Sequence, residues 1–171
     1  MLQINGYDLF LNKAYNDQDT RGTATYIKSS LSAVQIENED TNKFKDCVWT
    51  VIRGQNKQLL IGNIYRSGSP EKAQQLDPDL HQMILNMSLS RDYDSVLITG
   101  DFNHKDIKWD TTNNTITATN NCDEKFGTCI EDSYLRQLVN KPTRIVKDDK
   151  EKNKTKEFVR FNTSEQRGSS R

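Results

Sequence analysis

The sequence predicts an α/β fold with a strand–helix–strand unit at its centre. Three observations carry that expectation. Short β-forming segments, punctuated by turn residues, fill the first 65 positions. The apolar spacing then changes to three and four at Leu76, Leu80, Met83, Ile84 and Met87, which places an amphipathic helix within Pro70–Ser90. A second apolar run, Asp94–Gly100, follows at once and reads as another strand.

The elements follow in order. Gly6–Asn12 (GYDLFLN) predicts a first strand. Arg21–Leu31 (RGTATYIKSSL) predicts a second and Ser32–Glu37 (SAVQIE) a third, from alternation about Ala24, Tyr26, Val34 and Ile36. Asn38–Lys45 reads as a polar loop. Cys47–Gly54 (CVWTVIRG) is rich in β-formers, and GQNK turns the chain into Gln58–Tyr65 (QLLIGNIY). These segments together predict an antiparallel meander. Pro78 is expected in the first turn of the central helix or just before it, where its missing N–H does no harm. A second helical pattern runs through Phe126, Ile130, Tyr134, Leu135, Leu138 and Val139 and is ended by NKPTR. Lys147–Glu157 has almost no apolar content and reads as a loop, Phe158–Phe161 (FVRF) as a last strand, and SEQRGSSR as a loose end. The expected division is one domain over 1–145 and a polar basic tail over 146–171.

Bulk properties narrow the function. The chain of 171 residues is long enough for one domain, yet only 33% apolar. Its formal net charge is zero, so global charge gives no argument for nucleic-acid binding. The charge is uneven: Arg144–Arg171 holds nine Lys/Arg against five Asp/Glu. A basic tail can touch phosphate or simply be solvated. Cys47, Cys122 and Cys129 form no CxxC pair, and their odd number argues against a disulfide framework. His81 and His104 lack zinc-site spacing relative to them. His104 reads as polar loop surface, and Trp49 and Trp109 as packing residues. No apolar stretch approaches the ~20 residues of a membrane span, and Met1–Gly6 shows no secretory pattern. The expectation is an intracellular protein without membrane association.

The stretch GDFN (Gly100–Asn103) ends the strand after the central helix. A strand–helix–strand crossover leaves its two strands parallel. Their carboxyl ends then share the edge where open α/β sheets bind ligands. Tyr65 ends the first strand and Asp101 the second. Residues i and i+2 of extended chain face one side, so Asp101 and Asn103 are expected together while Phe102 turns into the core. A carboxylate that takes a proton from water, an amide that holds it and a phenol that donates to a phosphate oxygen suit attack of water on phosphorus. Gly-Asp-x-Asn is also good turn chemistry, and from Asp101 and Asn103 alone a turn is the favoured reading. A calcium loop fails on spacing, because Asp106 stands where the tight-turn Gly belongs and Thr112 where the bidentate Glu belongs.

RGTATYIK, LLIGNIYRSGSP, VLITGDFNHKDIKW and LRQLVNKPTR, in this order and spacing, resemble the endonuclease domain of non-LTR, jockey-like retrotransposons. That domain lies within the endonuclease/exonuclease/phosphatase superfamily, and the resemblance spans roughly Gly6 to Arg144. It implies a four-layer α/β/β/α sandwich, a DNA partner, Mg²⁺ as cofactor, no small-molecule cofactor, and a nuclear location if the protein is functional. By resemblance Tyr65 contacts the scissile phosphate, Asp101 orients or activates water, and Asn103 helps hold water and phosphate. Thr143, Arg144 and Arg66 are implied as substrate-binding, Arg66 with a structural role as an equal alternative because it alternates away from Tyr65.

Two parts of the family pattern have no counterpart here. Its metal-binding Glu would lie upstream of Met1, and no Ser-Asp-His closes the chain. The expectation is a domain cut at both ends, a DNA-nicking phosphodiesterase by descent but inactive as this isolated chain. The alternatives are a catalytically dead remnant that binds DNA weakly, or a phosphatase of the same fold.

Overall fold

The structure is a computed structural model. It describes residues 3–12 and 22–139, and the backbone alone of 144–146, 154–156 and 161–162. The strands are β1 (Tyr7–Leu11), β2 (Ala24–Lys28), β3 (Ala33–Ile36), β4 (Cys47–Arg53), β5 (Gln58–Tyr65), β6 (Ser95–Asp101), β7 (Lys108–Asp110), β8 (Thr115–Thr117), β9 (Arg144–Val146), β10 (Lys154–Lys156) and β11 (Phe161–Asn162). The helices are α1 (Glu39–Lys43), α2 (Pro70–Leu89) and α3 (Asn121–Asp132).

A five-stranded mixed sheet in the order β11-β6-β5-β4-β3 forms the centre. β3, β4 and β5 are the expected meander, and β5 and β6, joined through α2, are parallel. β1 and β2 do not extend that meander: they pair with each other as a separate antiparallel ribbon. β7 and β8 form a short hairpin, and Lys154–Lys156, inside the stretch expected as a loop, pairs with β9.

Period-2 alternation sorts the sheet's faces. Cys47, Trp49, Leu60, Ile64, Val96 and Ile98 point to one side. There they meet Leu80, Met83, Ile84 and Met87 of α2, with Phe126 and Ile130 of α3 completing the core. The Trp49 indole lies over Gly62, where a Cβ would sit 2.7 Å from the ring, and its Nε1 donates to the Met83 sulfur at 3.3 Å. On the opposite face Asn63 Nδ2 donates to the Ala24 carbonyl at 3.0 Å, which seats β2 against the sheet. The layers are therefore helices, central sheet and a second β layer: an α/β sandwich. Among the described residues the helices lie on one face only.

Three local readings differ from expectation. Part of the Asn38–Lys45 loop is helix α1, because Asn38 and Thr41 cap each other reciprocally. Pro70 opens α2, and Pro78 lies two turns further in. There its ring deprives the carbonyl of Gln74 of a partner, but both residues are exposed, so water can serve that carbonyl. The helix survives because the buried stripe beyond Pro78 anchors it to the sheet. Finally, α3 stops at Asp132 rather than running to Val139. Tyr134 adopts φ 53° and is exposed, its N–H donates to the Glu131 carbonyl, and Leu135 N–H donates to that of Ile130. This is a Schellman stop, with Leu135 buried after Ile130 as its apolar contact.

Candidate active site

The parallel ladder of β5 and β6 ends by pairing Tyr65 with Asp101. Both are half-buried, on the face turned away from the helices. The ladder can run this close because residue 100 is glycine. Gly100 has φ 146°, and a Cβ there would lie 1.7 Å from the Ile64 carbonyl oxygen. The next backbone bond, Arg66 N–H to the Asp101 carbonyl at 2.9 Å, carries the pairing one step past the strand ends.

Phe102 turns back into the core, 5.2 Å from Phe126 between ring centroids. Asn103 does not continue the extended chain, for it sits at φ 52° in the left-handed region that Asn tolerates. Its N–H donates to Asp101 Oδ1 at 3.1 Å, an Asx turn, and its Nδ2 donates to the Arg66 carbonyl at 2.7 Å. Turn chemistry and site geometry thus coexist. The turn fixes one carboxylate oxygen of Asp101, and leaves Asn103 Oδ1 outside these bonds.

Arg66 alternates away from Tyr65 and is buried. Its Nε and Nη2 donate to the two carboxylate oxygens of Asp77 at 2.7 and 2.8 Å, and Nη1 donates to the Phe102 carbonyl at 3.2 Å. Burial opposes charge on both groups, but the bidentate bond outweighs it. Arg66 is held above its ordinary pKa and Asp77 below the usual carboxylate range. Arg66 Nη2 also donates to Cys122 Sγ at 3.1 Å.

Thr143 lies outside the described residues. Arg144 opens β9 through its backbone. Tyr65, Asp101, Asn103 and the Arg66 main chain are brought together, while the Arg66 guanidinium is committed to the helix side.

His104 is not polar surface. Its side chain is 3% exposed, stacks on Phe126 at 4.1 Å, and places Nδ1 2.6 Å from Asp123 Oδ1. Burial, with help from Arg66, lowers its pKa to about 4 against the pull of Asp123. The sequence signal for this pairing was weak: Asp123 lies 19 positions on, in the first turn of α3, behind an Asn120 cap. All three cysteines are free thiols, Cys47 and Cys129 buried and Cys122 exposed.

Mg²⁺ prefers hard oxygen ligands. Among the described residues the rim gathers no group of three metal-ligating side chains, and the only such group contains a thiol. Asp101 alone is a poor fit for that ion. No helix among the described residues is long and apolar enough to cross a membrane.

The chain shares its fold with solved structures, one of them described as an endonuclease/exonuclease/phosphatase family protein. They include the endonuclease domain of TRAS1, a telomere-specific non-LTR retrotransposon (TM-score 0.64, 13% identity, covering 94% of this chain and 68% of that one). A mannosyl-6-phosphatase from Bacteroides thetaiotaomicron matches at TM-score 0.59 and 11% identity, over 94% of this chain and 64% of that one. An endonuclease/exonuclease/phosphatase family protein from the same organism matches at 0.58 and 12%, over 93% and 62%. The chain thus spans about two thirds of the lengths of these proteins. No family model and no curated protein matches the sequence. A nuclease domain and a sugar phosphatase both carry the fold, so the substrate has to be argued from the site.

Proposed function

We propose that this chain handles a DNA phosphodiester at the rim formed by Tyr65, Asp101 and Asn103, as a nicking domain of non-LTR retrotransposon type acting on nuclear DNA. The observation that supports this reading best is the register pairing of Tyr65 with Asp101 at the carboxyl ends of two parallel strands. In it the Tyr65 phenol donates to a non-bridging phosphate oxygen as negative charge builds there. Asp101 orients the attacking water and accepts its proton, and Asn103 Oδ1 holds that water in line. The P–O bond to the leaving strand breaks as the new one forms. Arg66 acts as a positioning residue, holding the Asp101–Asn103 turn from behind. Thr143 and Arg144 are proposed DNA contacts.

Hydrolysis by the described residues alone is expected to be slow, because the rim offers Mg²⁺ a single carboxylate, and losing one member of a catalytic unit costs nearly as much as losing all. Binding is therefore the sharper test. A short DNA duplex titrated into ¹⁵N-labelled chain at low salt should shift the amides of Tyr65, Asp101 and Asn103 first. Shifts centred elsewhere, or none, would overturn the reading. With supercoiled plasmid and Mg²⁺ only trace nicking is expected; robust nicking lost in Asp101→Ala would refute the expected weakness while supporting the site.

A further inference from the structure

On the helix side of the sheet, one ring nitrogen of His104, the sulfur of Cys122 and a carboxylate oxygen of Asp123 lie within 4.8 Å of one another. His104 leaves the end of β6, and the other two stand in the first turn of α3. We propose that these three side chains form a binding site for a borderline-soft divalent transition-metal ion of the Zn²⁺ type, pinning the loop after β6 to the start of α3. This inference is independent of the DNA reading.

The donor set selects the metal. A thiolate, an imidazole and a carboxylate suit Zn²⁺ or Co²⁺ and not Mg²⁺. Three protein ligands leave a fourth position for water, and Cys122 and Asp123 line a broad groove of ≈ 960 Å³ between α2 and α3 through which an ion can enter.

The supporting shell that metal ligands require is already built. Asn120 Nδ2 donates to Asp123 Oδ2 at 2.8 Å, which leaves Oδ1 for the ion. Cys122 Sγ accepts from Arg66 Nη2 at 3.1 Å and donates its own proton to Asp77 Oδ2 at 3.3 Å, a proton that the ion displaces on binding. Phe126 fixes the plane of the His104 ring. Nδ1 of that ring is engaged with Asp123, while Nε2 is buried without a hydrogen-bond partner. Charge also balances. Asp77 and Asp123 carry two negative charges beside Arg66, and a thiolate adds a third, so a divalent ion brings the cluster to neutrality. Ligand atoms of a tetrahedral site stand roughly 3.5 Å apart. On binding the ion therefore replaces the proton between His104 and Asp123, widening that pair from 2.6 Å while the Cys122 sulfur adjusts to the same spacing.

The test is a Co²⁺ titration of the full chain under a non-chelating reductant. The expected result is one equivalent of Co²⁺ bound with tetrahedral d–d bands and a thiolate-to-cobalt charge-transfer band. Cys122→Ser, a surface change, abolishes that band without altering the circular dichroism spectrum, and Asp123→Asn weakens binding at least about tenfold. Zn²⁺ at a hundredfold excess over Kd raises Tm by roughly 5–10 °C, reversed by EDTA. The proposal is overturned by absence of a charge-transfer band, by its persistence in Cys122→Ser, or by its insensitivity to Asp123→Asn.

Discussion

Arg66 and Asp77 form a bidentate ion pair inside the protein, joining the residue after β5 to the middle of α2. Because the Arg66 main chain also bonds Asp101 and Asn103, this pair sets the position of the rim from the opposite face of the sheet.

Breaking that pair should be costly. Arg66→Met or Asp77→Leu alone leaves an uncompensated buried charge and is expected to destabilise the chain by about 3–5 kcal/mol. The double change Arg66→Met with Asp77→Leu should cost much less than the two single losses combined. Urea unfolding of all four proteins as a double-mutant cycle checks this, and additive losses would contradict it.

Gly100→Ala tests the close approach of β5 and β6. The added methyl meets the Ile64 carbonyl in a backbone region that L residues rarely adopt. A loss of at least about 2 kcal/mol is expected, read as a lowered urea midpoint; an unchanged midpoint would show that the strands separate freely there.

Asn103 holds its turn by conformation and by hydrogen bonding. Asn103→Gly keeps the positive φ but loses the bond to the Arg66 carbonyl, whereas Asn103→Ala loses both. Stability should fall in the order Asn, Gly, Ala, with the last step about 1 kcal/mol. Thermal melts of the three proteins give the order directly.

Tyr65→Phe removes one hydroxyl from a half-buried position. Folding stability should stay within about 0.5 kcal/mol, while affinity for the DNA duplex falls by roughly three- to tenfold through a lost hydrogen bond. Equal affinity would remove the phenol from the site.

Acid should weaken the fold through His81. Burial holds its pKa below the ordinary value of 6.5, with Asp77 opposing. Between that lowered value and about 6.5 the unfolded chain binds more protons than the folded one, so stability rises with pH in this window. It is fully present above pH 6.5 and is lost as pH falls towards the folded pKa. His104 acts in the same direction, down to about 4. Urea unfolding at pH 7.5 and 5.5 should show a smaller difference for His81→Gln than for the parent chain.

What the sequence made legible was what local period and chain order determine. Alternation in Gln58–Tyr65 and Ser95–Asp101, with an amphipathic helix between, is enough to set Tyr65 against Asp101. The left-handed turn at Asn103 was legible only as a competing possibility, and it proved to be part of the same geometry. The groups behind the rim were not legible. Arg66 reaches Asp77 across 11 positions and Cys122 across 56, and His104 reaches Asp123 across 19. Such pairings depend on how α2 and α3 pack, which no single-segment pattern encodes. The end of α3 was hidden because Tyr134 fills a position where glycine is the usual signal.

The chain carries two tryptophans in unlike surroundings. Trp49 is sealed between Gly62 and the Met83 sulfur, and Trp109 sits half-buried in the β7–β8 hairpin. Intrinsic fluorescence therefore offers two built-in optical gauges. Trp49 emits at the blue end and reports global melting, whereas Trp109 signals fraying of the hairpin, so single-tryptophan variants would separate the two events without any attached dye.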